Sequence, residues 1–308
     1  MTQKKALVVG GFGFIGSAIS NVLMDKNYDV TIIDNLETGN KKMVRRDGYH
    51  FLNADICSTE WEEQVKGQEF DYIFNFGSYS SDRFFSLDGN AVCRTIKGMF
   101  NIIKYAEENG VRSVVYPSSG TVYGNSAPPQ SESGPTKPKS MYACTKLFLE
   151  NFTQTLSGDT KYVGPRIFTG YGEGEIYKGN MASVVTLFYK SLIKGESPIV
   201  YGNGEQKRDF VYADDIANIA IGLAEKGFNG VMNVGSGKST SFNRLIEILN
   251  DALKTDIKPR YVESPIAWVD ETRADLAKLD EVLHYKPRDI SQGIKDYLDG
   301  ISKFGSIK

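Results

Sequence analysis

The sequence predicts an α/β protein: a doubly wound parallel sheet, with a smaller mixed α/β lobe built from later parts of the chain. Three observations carry this. Short β-branched runs alternate with longer helical patterns through the first half, a glycine-spaced turn joins the first strand to the first helix, and the rhythm breaks after about residue 166. Repetition of strand, helix and strand implies right-handed crossovers and a sheet covered on both faces.

The elements follow in order. A-L-V-V-G is the first strand, G-S-A-I-S-N-V-L-M-D-K the first helix and Y-D-V-T-I-I-D the second strand. H-F-L-N-A-D, D-Y-I-F-N-F and R-S-V-V-Y-P continue the sheet, with T-I-K-G-M-F-N-I-I-K-Y-A-E-E-N as a helix before the last of them. Their near-continuous apolar runs are what buried parallel strands require. Beyond residue 166 come a glycine-rich loop (G-Y-G-E-G-E-I-Y-K-G-N), a helix around 181–194, a short strand P-I-V-Y, and R-D-F-V-Y-A-D-D. The stretch 214–235 reads as a further helix and strand, so the chain is expected to return to the first lobe. The expected division is 1–165 with 214–235 in one lobe, and 166–213 with 236–308 in the other.

Bulk properties narrow the function classes. At 308 residues the chain is near the size at which one core divides into two. A formal net charge of −2 leaves no basic excess for nucleic acid or an anionic membrane. The N-terminus runs into a strand without an apolar signal core, and no later stretch approaches the length of a membrane span, so a cytoplasmic protein is expected. Cys57, Cys93 and Cys144 are scattered, as reduced thiols are, and offer no zinc-type pairing. With only His50 and His284, histidine triads and histidine metal clusters lack material, and no metal is expected.

V-V-G-G-F-G-F-I-G places Gly10, Gly13 and Gly16 at three-residue intervals between strand and helix. Such glycines permit a tight turn, bring backbone N–H groups to a pyrophosphate and let the helix pack close to the sheet. Asp34 closes the second strand, where a carboxylate accepts hydrogen bonds from an adenosine ribose and repels a 2′-phosphate, favouring NAD over NADP. Asp55, after the third strand, is placed to reach the adenine amino group; by itself it reads as a helix cap.

Ligands of open parallel sheets bind beyond the carboxyl ends of the strands. There the chain reads S-S-G-T-V-Y-G, putting Ser118, Ser119 and Thr121 at the mouth of the site. Just downstream, S-M-Y-A-C-T-K sets Tyr142 and Lys146 four residues apart on one helical face. A phenol beside an ammonium is a candidate acid/base pair; on that fragment alone the commoner reading is a surface phenol and a solvated lysine.

Together, G-G-F-G-F-I-G, D-N-L-E-T-G, A-D-I, S-S-G-T-V-Y-G, Y-A-C-T-K, G-N-G-E-Q-K-R-D-F-V-Y-A-D-D and N-V-G-S-G resemble the extended short-chain dehydrogenase/reductase family. Within it the chain looks most like the NAD-dependent nucleotide-sugar epimerases and dehydratases, in particular the UDP-sugar 4-epimerases. The resemblance implies a Rossmann-like domain holding NAD through Gly10, Gly13, Phe14, Ile15, Gly16, Asp34, Asn35, Asp55 and Ile56, with Tyr142 and Lys146. It implies that Ser119 orients a sugar hydroxyl, Tyr142 is the acid/base, and Lys146 binds the nicotinamide ribose and lowers the phenol pKa from its usual value of about 10. The implied substrate contacts are Ser119, Thr121, Thr169, Lys178, Arg208 and Arg273, and the implied assembly is a homodimer through the helix near 92–108 and the one carrying Tyr142.

Departures sharpen the reading. Gly120 and Thr121 stand where sugar 4,6-dehydratases carry an Asp-Glu pair, and neither histidine lies where 3,5-epimerase/reductases need one. Thr169 replaces a common asparagine, and a second phosphate-binding arginine aligns near Pro265, with Arg273 displaced towards Asp275. Thr272, small at the position that limits the C2 substituent in 4-epimerases, leaves room for an N-acetyl group. Two alternatives stay open: an ADP-heptose-type 6-epimerase, whose loop I-Y-K-G-N-M-A-S resembles and in which Lys178 is a second acid/base, and an extended reductase or dehydrogenase of a small hydroxy substrate.

Overall fold

A computed structural model describes residues 3–263 and 269–303. The chain begins β1 (Lys5–Val9), α1 (Phe14–Asp25), β2 (Asp29–Ile33), β3 (His50–Leu52), α2 (Glu60–Gln64) and β4 (Tyr72–Asn75). It continues α3 (Asp82–Leu87), α4 (Ala91–Glu108), β5 (Ser113–Val115), β6 (Ser118–Ser119), α5 (Met141–Thr153), β7 (Lys161–Ile167) and β8 (Thr169–Tyr171). After α6 (Val184–Ile193) come β9 (Ile199–Tyr201), β10 (Lys207–Tyr212), α7 (Ala213–Glu225), β11 (Gly230–Val234) and β12 (Ser239–Ser241). The described chain ends with α8 (Phe242–Leu253), β13 (Arg260–Val262), α9 (Ala277–Leu283) and α10 (Ile290–Lys303).

The main sheet is parallel, in the order β11-β7-β5-β4-β1-β2-β3, with β6 also on β7. Strand order reverses between β1 and β4, which opens a crevice at their carboxyl ends. One face is covered by α1 and α7 through Ile19, Leu23, Ile219 and Leu223, and the other by α4 through Ile102 against Leu7, Ile33 and Ile73. Each of these buried aliphatic side chains contributes about 1.5–3 kcal/mol relative to exposure. The stretch 214–235 forms most of α7 and all of β11, and β11 pairs with β7 from Gly230 opposite Val163 to Val234 opposite Ile167. The small sheets β12-β10-β8 and β13-β9 lie apart from this one. A separate apolar cluster around Tyr171, Phe188, Phe210, Leu245 and Tyr297 joins α6, α8 and α10.

The helix expected at 181–194 starts later, at Val184. The preceding residues Glu173–Met181 turn as 3-10 helix, broken by Gly179 at φ 55°. The buried Glu175 carboxylate accepts the Ser183 N–H at 3.0 Å, so the helix entry is fixed by a side chain from the loop before it.

Candidate active site

The glycine turn needs its glycines. Gly10 lies at φ +68°, and a Cβ there would stand 2.6 Å from the Phe76 carbonyl oxygen; a Cβ on Gly16 would stand 2.0 Å from that of Gly10. Gly13 caps α1 without a side-chain hydrogen bond, and no acidic residue occupies the first turn. The first N–H groups and the positive end of the helix dipole therefore face the crevice, which suits a phosphate.

Here the structure opens a cleft of about 670 Å³. Its walls bring together Gly10, Gly13, Phe14, Ile15, Gly16, Asp34, Asn35, Asp55 and Ile56 with Ser119, Thr121, Tyr142, Lys146 and Lys178. The glycine cradle, the uncapped helix end and the carboxylates after β2 and β3 fit a dinucleotide laid across the switch point. Asp34 is fixed rather than free: Oδ2 accepts the Phe12 N–H at 2.9 Å and Oδ1 the Leu36 N–H at 2.8 Å. Asp55 uses one oxygen to accept the Cys57 N–H at 2.8 Å and the other to meet Arg94 Nη2 at 3.0 Å.

α5 starts where it does because the Ser140 side chain accepts the Ala143 N–H at 3.1 Å. Tyr142 and Lys146 then fall on its inward face, 8% and 1% exposed, rather than on a solvated surface. Phe85 meets the Tyr142 ring edge-on at 5.3 Å. Lys146 Nζ lies 5.3 Å from the centre of that ring and donates to Ser78 Oγ at 3.3 Å. Ser119 Oγ accepts from both the N–H (3.2 Å) and the hydroxyl (3.0 Å) of Thr121, which turns it inward.

In the chain without its cofactor, burial pushes the Tyr142 phenol up to about 12, against a smaller downward pull from hydrogen bonding with Ser119. Burial also holds Lys146 down to about 7. Both groups have left water, and loss of solvation disfavours each charged form.

Sequence reasoning missed three parts of the site. Glu150, in register with Tyr142 and Lys146 on α5, pairs with Arg166 of β7 at 2.7 Å and accepts a hydrogen bond from Ser118; Arg166 Nη1 also donates to Tyr123 Oη at 2.9 Å. The i, i+4, i+8 spacing of Tyr142, Lys146 and Glu150 was the signal available for it. Glu37, Tyr79 and Arg94 meet on the cleft wall, and Glu175 lies behind Lys178; neither group has a local motif.

Lys178 Nζ is 3.5 Å from Glu175 Oε1 and 5.1 Å from the centre of the Phe14 ring. Thr169, Arg208 and Arg273 are not brought to the cleft wall. Thr169 pairs with Phe210 across β8 and β10. Arg208 Nη1 donates to the carbonyls of Lys207 at 2.7 Å and Val269 at 2.8 Å, while the neighbouring Asp209 accepts N–H groups of Ser236, Gly237 and Ala274. The Arg273 N–H donates to Gln130 Oε1 at 2.8 Å, and the Thr272 N–H to the Lys207 carbonyl at 3.2 Å. Pro265 lies outside the described residues.

A glycine-cradled crevice at the switch point of a parallel sheet, with a buried phenol and amine at its inner end, defines a Rossmann-type dinucleotide-dependent enzyme. Residues 6–235 match the NAD dependent epimerase/dehydratase family, and the chain belongs to it; its cofactor is NAD. Among solved structures, UDP-N-acetylglucosamine 4-epimerase from Methanobrevibacter ruminantium M1, in complex with UDP-N-acetylmuramic acid, is 32% identical (99% of this chain and 98% of that one, TM-score 0.88). UDP-glucose 4-epimerase from Thermotoga maritima, with UDP-glucose, is 28% identical (97% and 99%, TM-score 0.89). Helicobacter pylori ADP-L-glycero-D-manno-heptose-6-epimerase is 27% identical (97% and 96%, TM-score 0.85).

Proposed function

We propose that the protein epimerises a nucleoside-diphosphate sugar at C4, the substrate being UDP-glucose/galactose or its N-acetyl form. The observation that carries this is the convergence of Ser119, Tyr142 and Lys146 on the inner end of the cleft. NAD, when bound, supplies a reversible hydride acceptor at the sugar carbon and ends the cycle unchanged. Ser119 holds the reacting hydroxyl, and Tyr142, as the phenolate that a charged Lys146 and the positive nicotinamide ring would favour once NAD is bound, takes its proton and later returns it from Oη. Burial lowers the Lys146 pKa to about 7, so a change in the surroundings of Nζ, such as a bound cofactor, alters the charge beside the phenol.

Residues 1–165 with 214–235 form the NAD lobe in this reading, and 166–213 with 236–308 hold the sugar nucleotide. Thr121 flanks the sugar from the cleft wall; Thr169, Arg208 and Arg273 serve the nucleotide arm beyond it. The UDP ligands of the Methanobrevibacter and Thermotoga proteins support UDP as the carrier. The chain acts as a homodimer joined through α4 and α5, whose outer face shows Phe100 and Phe148, and works in the cytoplasm, in keeping with three free cysteines. No helix among the described residues is long and apolar enough to cross a membrane.

One observation favours a second reading: Lys178 lines the cleft, as a second acid/base would, and the Helicobacter neighbour is a 6-epimerase. Incubating purified protein with UDP-, GDP- and ADP-sugars and following the products by NMR separates the two. Inversion at C4 of a UDP-sugar without net NADH is expected. Inversion at C6 of an ADP-heptose, or net NADH from a simple alcohol, overturns the proposal.

A further inference from the structure

Along one wall of the cleft, three turns and a helix are tied together. Glu37 follows β2, Asp55 follows β3, Tyr79 follows β4, and Arg94 reaches across from α4. Arg94 Nη2 lies 3.0 Å from Glu37 Oε2 and 3.0 Å from Asp55 Oδ2, and the Tyr79 hydroxyl donates to Glu37 Oε1 at 2.6 Å. The turn that delivers Glu37 passes through Leu36 at φ 60°, a left-handed conformation unusual for a branched residue.

We propose that Glu37, held by Arg94 and Tyr79, is the group that makes this site reject a 2′-phosphorylated dinucleotide. The inference rests on the NAD site described above. Asp34 already has each oxygen accepting a backbone N–H, so part of its capacity is spent on knitting the turn. Glu37 is the next carboxylate on that turn lining the cleft. With it in place, Asp34, Glu37 and Asp55 outnumber the single guanidinium of Arg94 on these walls. Hydroxyls of a ribose donate to such carboxylates, whereas a phosphate is repelled and finds Nη2 of the guanidinium already shared by two carboxylates. Removing Glu37 takes away one negative charge and frees N–H donors of Arg94, turning a repulsive wall into an attractive one.

The test is equilibrium binding of NAD and of NADP, measured by calorimetry on wild type, Glu37→Ala, Glu37→Gln and Glu37→Ala/Arg94→Ala. Wild type prefers NAD. The preference is expected to shrink by about tenfold or more in Glu37→Ala, equivalent to about 1.4 kcal/mol, chiefly through tighter NADP. Glu37→Gln, which keeps the hydrogen-bonding shape without the charge, moves the same way, and the double variant loses the gain. An unchanged ratio in both single variants that still bind NAD, or a wild type that binds the two alike, overturns the inference. A wild type that binds neither overturns the NAD site itself.

Discussion

Glu150 and Arg166 form a two-pronged ion pair beneath α5, Nε to Oε1 at 2.9 Å and Nη2 to Oε2 at 2.7 Å, with side chains 1% and 5% exposed. The pair joins the helix carrying Tyr142 and Lys146 to β7, and Glu150 also accepts from Ser118, the residue before Ser119. Replacing one member leaves the other charge buried without its partner, which costs about 3–5 kcal/mol. Glu150→Ala should therefore lower the urea midpoint strongly, whereas Glu150→Met/Arg166→Met should cost less than the two single changes combined. A double variant that costs the full sum would show that the two side chains act independently.

The buried amine gives the protein without cofactor a particular pH response. Lys146 falls to about 7 on folding from an ordinary 10.5, so the unfolded chain binds the extra proton between those values. Its charged form burdens the fold fully below pH 7, and stability rises with pH across the window up to 10.5. Tyr142 acts in the opposite sense and later: raised to about 12 from 10.0, it contributes stability that is lost as pH climbs from 10.0 through about 12. Lys146→Met should consequently be more stable than wild type at pH 7 and lack the rise above it, read from denaturant unfolding at a series of pH values. Parallel pH profiles of the two proteins would mean that the amine stays solvated.

Removal of the phenolic oxygen is the direct test of the acid/base. Tyr142→Phe keeps the ring against Phe85 and should leave the fold and NAD binding intact, because only the hydroxyl is deleted. Epimerisation should fall by about two to four orders of magnitude, the contribution typical of a positioned proton carrier. Turnover near the wild-type rate would remove Tyr142 from the mechanism.

The sheet and the NAD end were legible because their signals are local. A strand, three spaced glycines and a helix start occupy consecutive residues, and steric demand at Gly10 and Gly16 leaves few other readings. Tyr142 and Lys146 were legible for the same reason, through one turn of helix. What the chain hid was anything assembled across distance: Arg166 lies sixteen residues past Glu150, and Arg94 lies 57 residues past Glu37. The burial of the Tyr142 phenol was hidden too, since it depends on how completely α5 is covered, which pairwise spacing does not encode. Arg208 shows the reverse case, a motif residue whose guanidinium meets two backbone carbonyls and the Phe242 ring away from the cleft.

The tightest position in the turn is Gly16. A methyl group there would stand 2.0 Å from the Gly10 carbonyl oxygen and 2.8 Å from its carbon, both backbone atoms that no rotamer change can move aside. The first turn of α1 must then retreat from β1, carrying its N–H groups away from the pyrophosphate position. Gly16→Ala is expected to weaken NAD binding at least about tenfold while the remote cluster around Tyr171 and Tyr297 stays folded. Near-ultraviolet circular dichroism with NAD titration checks both halves, and undiminished affinity would show that this end of the helix does not carry the phosphates.

The dimer proposal makes a prediction of its own. Phe100 on α4 and Phe148 on α5 are 40% and 42% exposed, and each packs on Phe152, with ring centres 4.7 and 6.0 Å away. Met141 extends the same helix surface at 63% exposure. Two copies meeting across these helices would cover this apolar strip twice, each fully buried phenylalanine contributing about 1.5–3 kcal/mol. Aspartate at both positions would place charges without counter-ions in that contact, a cost large enough to separate the copies. Phe100→Asp/Phe148→Asp should therefore sediment as a monomer at concentrations where wild type sediments as a dimer. Since neither side chain lines the cleft, NAD affinity should change little. A double variant that remains dimeric would move the interface elsewhere on the molecule.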